Sequence, residues 1–155
     1  MNLFAALSIV CAAWFEPSAG WHQPARVAAT FSPSTGAQAE SWAATFPVSA
    51  RYGISRGFPV SGVYISVNLV RPPAYGSVWR SALRFPLRLR DATKNPSFKA
   101  PRLTTYRFVG RFRHQYNVDV QVIVARNVGA AVLARAQAEL RRLTLPRWIP
   151  VPSRC

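Results

Sequence analysis

Acidic side chains are the scarcest resource of this sequence. Its 155 residues hold 5 Asp plus Glu against 20 Lys plus Arg, a formal net charge of +15. The acids are Glu16, Glu40, Asp91, Asp119 and Glu139, and the only histidines are His22 and His114. General acid–base catalysis needs such groups gathered in one cleft, and this inventory is thin for it. A metal centre needs His, Cys or acid ligands in sets of three or four, and the sequence provides no spacing of that kind. Cys11 and Cys155 lie near opposite ends, with neither metal-ligand nor redox spacing. A disulfide between them would require the first segment to be kept and to fold back. No phosphate-cradling glycine loop, nucleophile elbow or zinc-binding His pair is present. His114 and Asp119 flank an expected hairpin turn without a third orienting group, so they read as solvated turn residues. The sequence therefore reads as a non-enzyme, with no catalytic residue, cofactor or metal called for.

Lysine is nearly absent, at Lys94 and Lys99 only. GC-rich coding would favour arginine over lysine, but it would not remove acids, whose codons can also be GC-rich. The charge is thus a physical property of the chain, and it attracts polyanions: anionic lipid, envelope polymer or nucleic acid. Half of the residues are apolar, which excludes disorder as a description of the whole. The length suits one domain with a modest core.

No apolar run reaches the roughly 20 residues that a membrane span requires. Residues 3–15 are apolar except Ser8, and Glu16, Pro17, Ser18, Ala19 and Gly20 end the run. That is the length of a signal-peptide h-region, and Ser18, Ala19 and Gly20 resemble a cleavage site. Met1 and Asn2 supply no positive n-region, which leaves a short membrane anchor or a buried N-terminal helix as the other readings. A lipid-attachment site at Cys11 is disfavoured by the size of Val10 before it. Residues 1–20 are accordingly assigned to a signal peptide or short anchor, residues 21–146 to one domain, and residues 147–155 to an irregular tail.

Past Trp21 the hydrophobic pattern is that of short strands. Val27, Ala29 and Phe31 alternate, as do Trp42, Ala44 and Phe46. The best strand spans residues 61–70, with Val63, Ile65, Val67 and Leu69 on one face and Tyr64, Ser66 and Asn68 on the other. Phe85, Leu87 and Leu89 alternate with Arg84, Arg88 and Arg90, but Pro86 cannot donate a ladder hydrogen bond, so that strand belongs at an edge or is interrupted. Residues 91–101 read as a loop. Tyr106, Phe108 and Phe112 alternate with Arg107, Arg111 and Arg113, and Val118, Val120, Val122 and Val124 with polar neighbours.

From residue 128 the period becomes helical, with Val132, Leu133, Ala136, Leu140 and Leu143 on one stripe. Asn127 is placed to cap this helix, Leu145 and Pro146 to end it, and Glu139 to face solvent between Arg135 and Arg142. The expectation is α+β: an antiparallel sheet of about five strands with a C-terminal amphipathic helix packed on one face.

Two arginine rows, Arg84, Arg88, Arg90 and Arg107, Arg111, Arg113, would form one basic binding surface if they shared a side of the sheet. The bland alternative is two solvated outer faces, the ordinary finish of an antiparallel sheet. Phe108 and Phe112 point away from the second row, which argues against a stacking platform for single-stranded nucleic acid. Among the early aromatics, Trp42 and Phe46 suit a core, and Trp21 is the candidate for a membrane interface.

The succession Gly20, Trp21, His22, then the strand over residues 116–126, then Glu139, Leu140, Arg141, Arg142 and Leu143 resembles a loosely defined set of uncharacterised exported domains of GC-rich bacteria. The resemblance implies an anchor ahead of the domain and assigns no activity. The resulting expectation is an extracytoplasmic or membrane-anchored domain contacting anionic lipid or envelope polymer. A cytoplasmic nucleic-acid-binding protein is the alternative.

Overall fold

The computed structural model describes residues 17–23, 28–32, 36–48, 57–70, 81–96, 100–113 and 116–145. The apolar run with Cys11, residues 49–56, His114, and the C-terminal residues with Cys155 lie outside the described residues. The strands are β1 (Ala28–Ser32), β2 (Gly36–Ala44), β3 (Val63–Val70), β4 (Thr93–Pro96), β5 (Leu103–Phe112) and β6 (Tyr116–Ala125), followed by helix α1 (Ala130–Arg142). They form one sheet in the order β1-β2-β3-β6-β5-β4, antiparallel throughout. The α+β class follows, with six strands where about five are expected.

The added strand is β4, inside the stretch expected to be a loop. It pairs Thr93, Lys94, Asn95 and Pro96 with Arg107, Tyr106, Thr105 and Thr104. A proline is tolerated there because β4 is the edge of the sheet, where one side of the backbone needs no partner.

Alternation decides what each face carries. Val63, Ile65, Val67 and Leu69 of β3 and Val118, Val120, Val122 and Val124 of β6 are fully buried on the helix-bearing face, joined by Ala43, Phe108 and Tyr116. Ala136, Leu140 and Leu143 of α1 close over them, with Val132 and Leu133 at the margin. The central β-branched residues suit a pleated surface buried against another layer. Removing such a side chain from water contributes roughly 1.5–3 kcal/mol each, so this face is the main source of stability.

The helix covers only part of that face. The rest is covered by residues 81–92, where the alternating pattern suggests a strand and the structure has irregular chain ending in a 3-10 turn, Leu89–Asp91. Pro86, after a cis peptide bond, has no N–H to place in a ladder, so the pattern serves packing instead. Leu83, Phe85, Leu87 and Leu89 turn down onto the core, and the Phe85 ring meets Phe112 edge-on at 5.5 Å.

The segment enters beside β5: Arg111 N–H donates to the Ser81 carbonyl at 2.8 Å, and Leu83 N–H donates to the Arg111 carbonyl at 2.9 Å. Gly110 makes this crossing possible, because a Cβ there would sit 2.8 Å from the Ser81 carbonyl oxygen. Gln137 of α1 then holds the segment. Its amide oxygen accepts from Leu89 N–H at 2.8 Å and its amide nitrogen donates to the Leu87 carbonyl at 3.0 Å. A helix side chain thus stands in for a neighbouring strand, satisfying backbone groups that the proline-interrupted stretch cannot pair itself.

The helix ends differ from expectation. Gly129, not Asn127, is the N-cap, and no side chain caps it. Glu139 is not a solvated residue: it is 2% exposed. Its carboxylate accepts from Ser18 N–H at 2.9 Å and from the Ser18 hydroxyl at 2.7 Å. Trp21 packs against the core rather than standing as an isolated interfacial ring, and His22 pairs with Ala44 through both backbone groups, at 2.7 and 2.8 Å. Ser18 and Trp21, on either side of the boundary expected at residue 20, are therefore both joined to the domain.

Candidate functional site, a basic layer

The far face of the sheet has two halves. One is apolar: Ala44, Phe58, Tyr64, Ala100 and Leu103 are buried together, with Trp42, Phe46, Val48 and Ile123 beside them. Trp42 stacks on Tyr64 at 5.9 Å. Burial first, and then the nearby charge of Glu40, push the Tyr64 phenol up to about 12. The other half is polar, built from Ser66, Asn68, Asn117, Asp119 and Gln121 with Arg107 and Arg111.

Arg107 and Arg111 both lie on this far face. Arg107 holds both carboxylate oxygens of Asp119, at 3.0 and 2.6 Å, and Gln121 donates a third bond to that carboxylate at 3.3 Å. The hydrogen bond to Asp119 raises the Arg107 pKa above its usual value, against the opposing effect of burial. Bidentate pairing of this kind fixes a guanidinium in place. Arg111 is half-buried opposite Asn117, and its Nε and the Asn117 Oδ1 have no hydrogen-bond partner. Arg113 lies in the β5–β6 turn with φ 47°, over the Phe112 ring at 5.2 Å.

Arg84, Arg88 and Arg90 are exposed on the outside of the segment that covers the other face. The two rows therefore do not form one surface. Arg107 and Arg111 lie across the sheet from Arg84, Arg88 and Arg90, because residues 84–92 pack over the sheet as a cover instead of joining it as a strand, while Arg113 stacks on Phe112, a ring of the covered face. Of the six arginines, Arg84, Arg88 and Arg90 are exposed along one covering segment, and Arg107 and Arg111 stand on the polar half of the far face, where only Arg107 is bonded to Asp119.

What the row pattern misses is the helix. Arg135, Arg141 and Arg142 are exposed on α1, in the same outer layer as Arg84, Arg88 and Arg90. Gln137 links the two elements, since its bonds to Leu87 and Leu89 bracket Arg88, and Arg141 stands one turn further along the same helix stripe. The signal for this in the sequence is Gln137, a polar residue at the border of the apolar stripe. Nothing local in the sequence says which distant segment it meets.

Acidic neighbours do not neutralise the layer. Asp91 approaches Arg90 at 3.8 Å with both side chains largely in water, a pair worth little. Of the other acids among the described residues, Asp119 and Glu139 are buried and engaged, and Glu40 is exposed on the far face. Among the described residues no set of three His, Cys, Asp or Glu side chains could hold a metal ion. No helix among them is long and apolar enough to cross a membrane. His114 lies outside the described residues, while Asp119, expected as a solvated turn residue, is buried within β6 and held by Arg107 because the β5–β6 register sets the two side by side. No protein-family model, curated protein or solved structure matches the chain.

Proposed function

We propose that the protein is a non-enzymatic exported or membrane-associated domain whose basic surface contacts anionic envelope components, lipid or polymer. One observation carries this reading: the fold takes two of the four described acids inward and leaves most of the described arginines exposed. Asp119 is 8% exposed and Glu139 2% exposed, so the surface is more one-sidedly positive than the composition. Such a surface attracts an extended anionic partner over a distance set by the Debye length, about 8 Å at physiological salt.

A nucleic acid would feel the same attraction, and it is the second reading. Against it, Phe108 is buried on the core side of the sheet and Phe112 packs with Phe85 and Tyr116, so neither offers a ring to stacked bases. The apolar run before Pro17 also has no use in a nucleic-acid binder. Fractionation of cells carrying a C-terminally tagged chain tests the assignment. The expected location is the membrane or extracytoplasmic fraction. Soluble full-length protein in the cytoplasm would overturn it and favour the nucleic-acid reading.

A further inference from the structure

We propose that the outer layer formed by α1 and residues 84–90 is the surface that lies against an anionic lipid bilayer. This placement rests on the envelope-contact reading above and adds to it a side, an orientation and a partner. Two independent observations converge on that side of the molecule.

The first is the distribution of charge on the helix. Its buried arc holds Val132, Leu133, Ala136, Glu139, Leu140 and Leu143. The exposed arc carries Ala131, Ala134 and Ala138, with Arg135 and Arg142 along one border and Arg141 along the other. Short alanines between long, flexible arginines leave the guanidinium groups free to reach a flat surface. Beyond Arg141 the same surface continues into Arg88, held there by Gln137.

The second is where the apolar run is attached. Ser18 is fastened to Glu139 by two hydrogen bonds, and Glu139 lies one turn from both Arg135 and Arg142 along the helix. The run over residues 3–15 ends two residues before Pro17, a span of at most roughly 7 Å of extended chain. The described chain thus starts beside the arginine-bearing border of α1, and the most apolar stretch of the sequence precedes it in the chain. An apolar stretch next to a basic cluster is the combination that gives stable attachment to anionic membranes, because neither element suffices alone. The far face offers no such pairing, since its Arg107 is committed to Asp119.

Binding of the full chain to vesicles tests this, comparing neutral phosphatidylcholine vesicles with vesicles containing phosphatidylserine at low ionic strength. Arg135→Gln with Arg142→Gln removes two charges from the layer. Arg102→Gln with Arg126→Gln removes two exposed charges where β5 starts beside the end of β6. The layer pair is expected to weaken binding to the anionic vesicles by about thirty-fold, near five-fold per arginine, and the β5 pair by only a few-fold. Both differences should shrink at high salt. Arg135→Lys with Arg142→Lys should bind like the parent. Arg88→Gln with Arg141→Gln, at the opposite border of the arc, is read in the same way, so a folding defect in one pair leaves the other to decide. Equal losses from the layer and β5 pairs would overturn the placement while leaving the envelope-contact reading standing. A parent chain that does not prefer anionic vesicles would overturn the placement and the lipid arm of the envelope-contact reading, leaving its polymer arm.

Discussion

The bond between Ser18 and Glu139 makes the strongest demand on the chain, because it joins residues 121 positions apart through a carboxylate that is 2% exposed. Replacing Ser18 with Ala deletes the hydroxyl donor and leaves the backbone N–H in place. A hydrogen bond to a charged group is worth about 1.5–3 kcal/mol, and one carboxylate oxygen would be left buried without that donor. The expected loss is therefore about 2 kcal/mol. Replacing Glu139 with Leu removes the charge and fills the same space with an apolar side chain, so the loss in that variant is set by the two donors stranded on Ser18. When Ser18→Ala and Glu139→Leu are combined, no hydroxyl is left to lack an acceptor. The double variant should then lose less than the sum of the singles, with a coupling of about 1–2 kcal/mol. Equilibrium unfolding in urea measures this directly. With a slope of roughly 2 kcal/mol per molar, Ser18→Ala should lower the midpoint by about 1 M. A Ser18→Ala change below about 0.5 kcal/mol with no coupling would refute the reasoning, because residues 17–20 would then not be fastened to the domain.

Three further outcomes follow from the same geometry. Gln137→Ala strands Leu89 N–H and the Leu87 carbonyl; it should cost about 2–4 kcal/mol by urea unfolding, and hydrogen exchange at residues 87–89 should rise first. Gly110→Ala places a methyl 2.8 Å from a backbone oxygen and should destabilise by about 1–3 kcal/mol, with near-ultraviolet circular dichroism reporting displacement of Phe85 against Phe112; a thermal midpoint equal to the parent's would contradict the crossing described. Tyr64 is raised to about 12 from an ordinary 10, so its neutral form favours the folded state. That contribution is complete below pH 10 and is lost as pH climbs through 12. Absorbance titration near 295 nm should show Tyr64 ionising late, and a parent-minus-Tyr64→Phe difference curve centred near pH 10 would contradict its burial.

Much of the fold is legible in the sequence because it is carried by local period. The alternation over residues 63–70 and 116–125 and the helical stripe from Val132 to Leu143 each state which side of an element is apolar, and a side that is apolar must be covered. These patterns determine an antiparallel sheet with one helical layer. They also determine the sign of the surface, since no arrangement of the chain can neutralise so large an excess of arginine. Period could not say whether Phe85, Leu87 and Leu89 belong in the sheet or on top of it, because the same alternation serves a strand and an extended cover. The choice was made by tertiary contacts: the gap at Gly110, the missing N–H of Pro86 and the amide of Gln137. β4 escaped notice because its Thr, Lys, Asn and Pro carry no apolar period and are held by pairing with β5 alone.

The candidate site divides in the same way. The presence of arginine rows is a property of the sequence, whereas the placement of Arg107 and Arg111 across the sheet from Arg84, Arg88 and Arg90 is a property of the fold. Arg107 and Asp119 are 12 positions apart, and only the β5–β6 register makes them neighbours. Glu139 looks solvent-facing on a helix read alone, between two arginines. It is buried because Ser18 arrives from the other end of the chain with two donors, a contact between distant residues that no local pattern encodes.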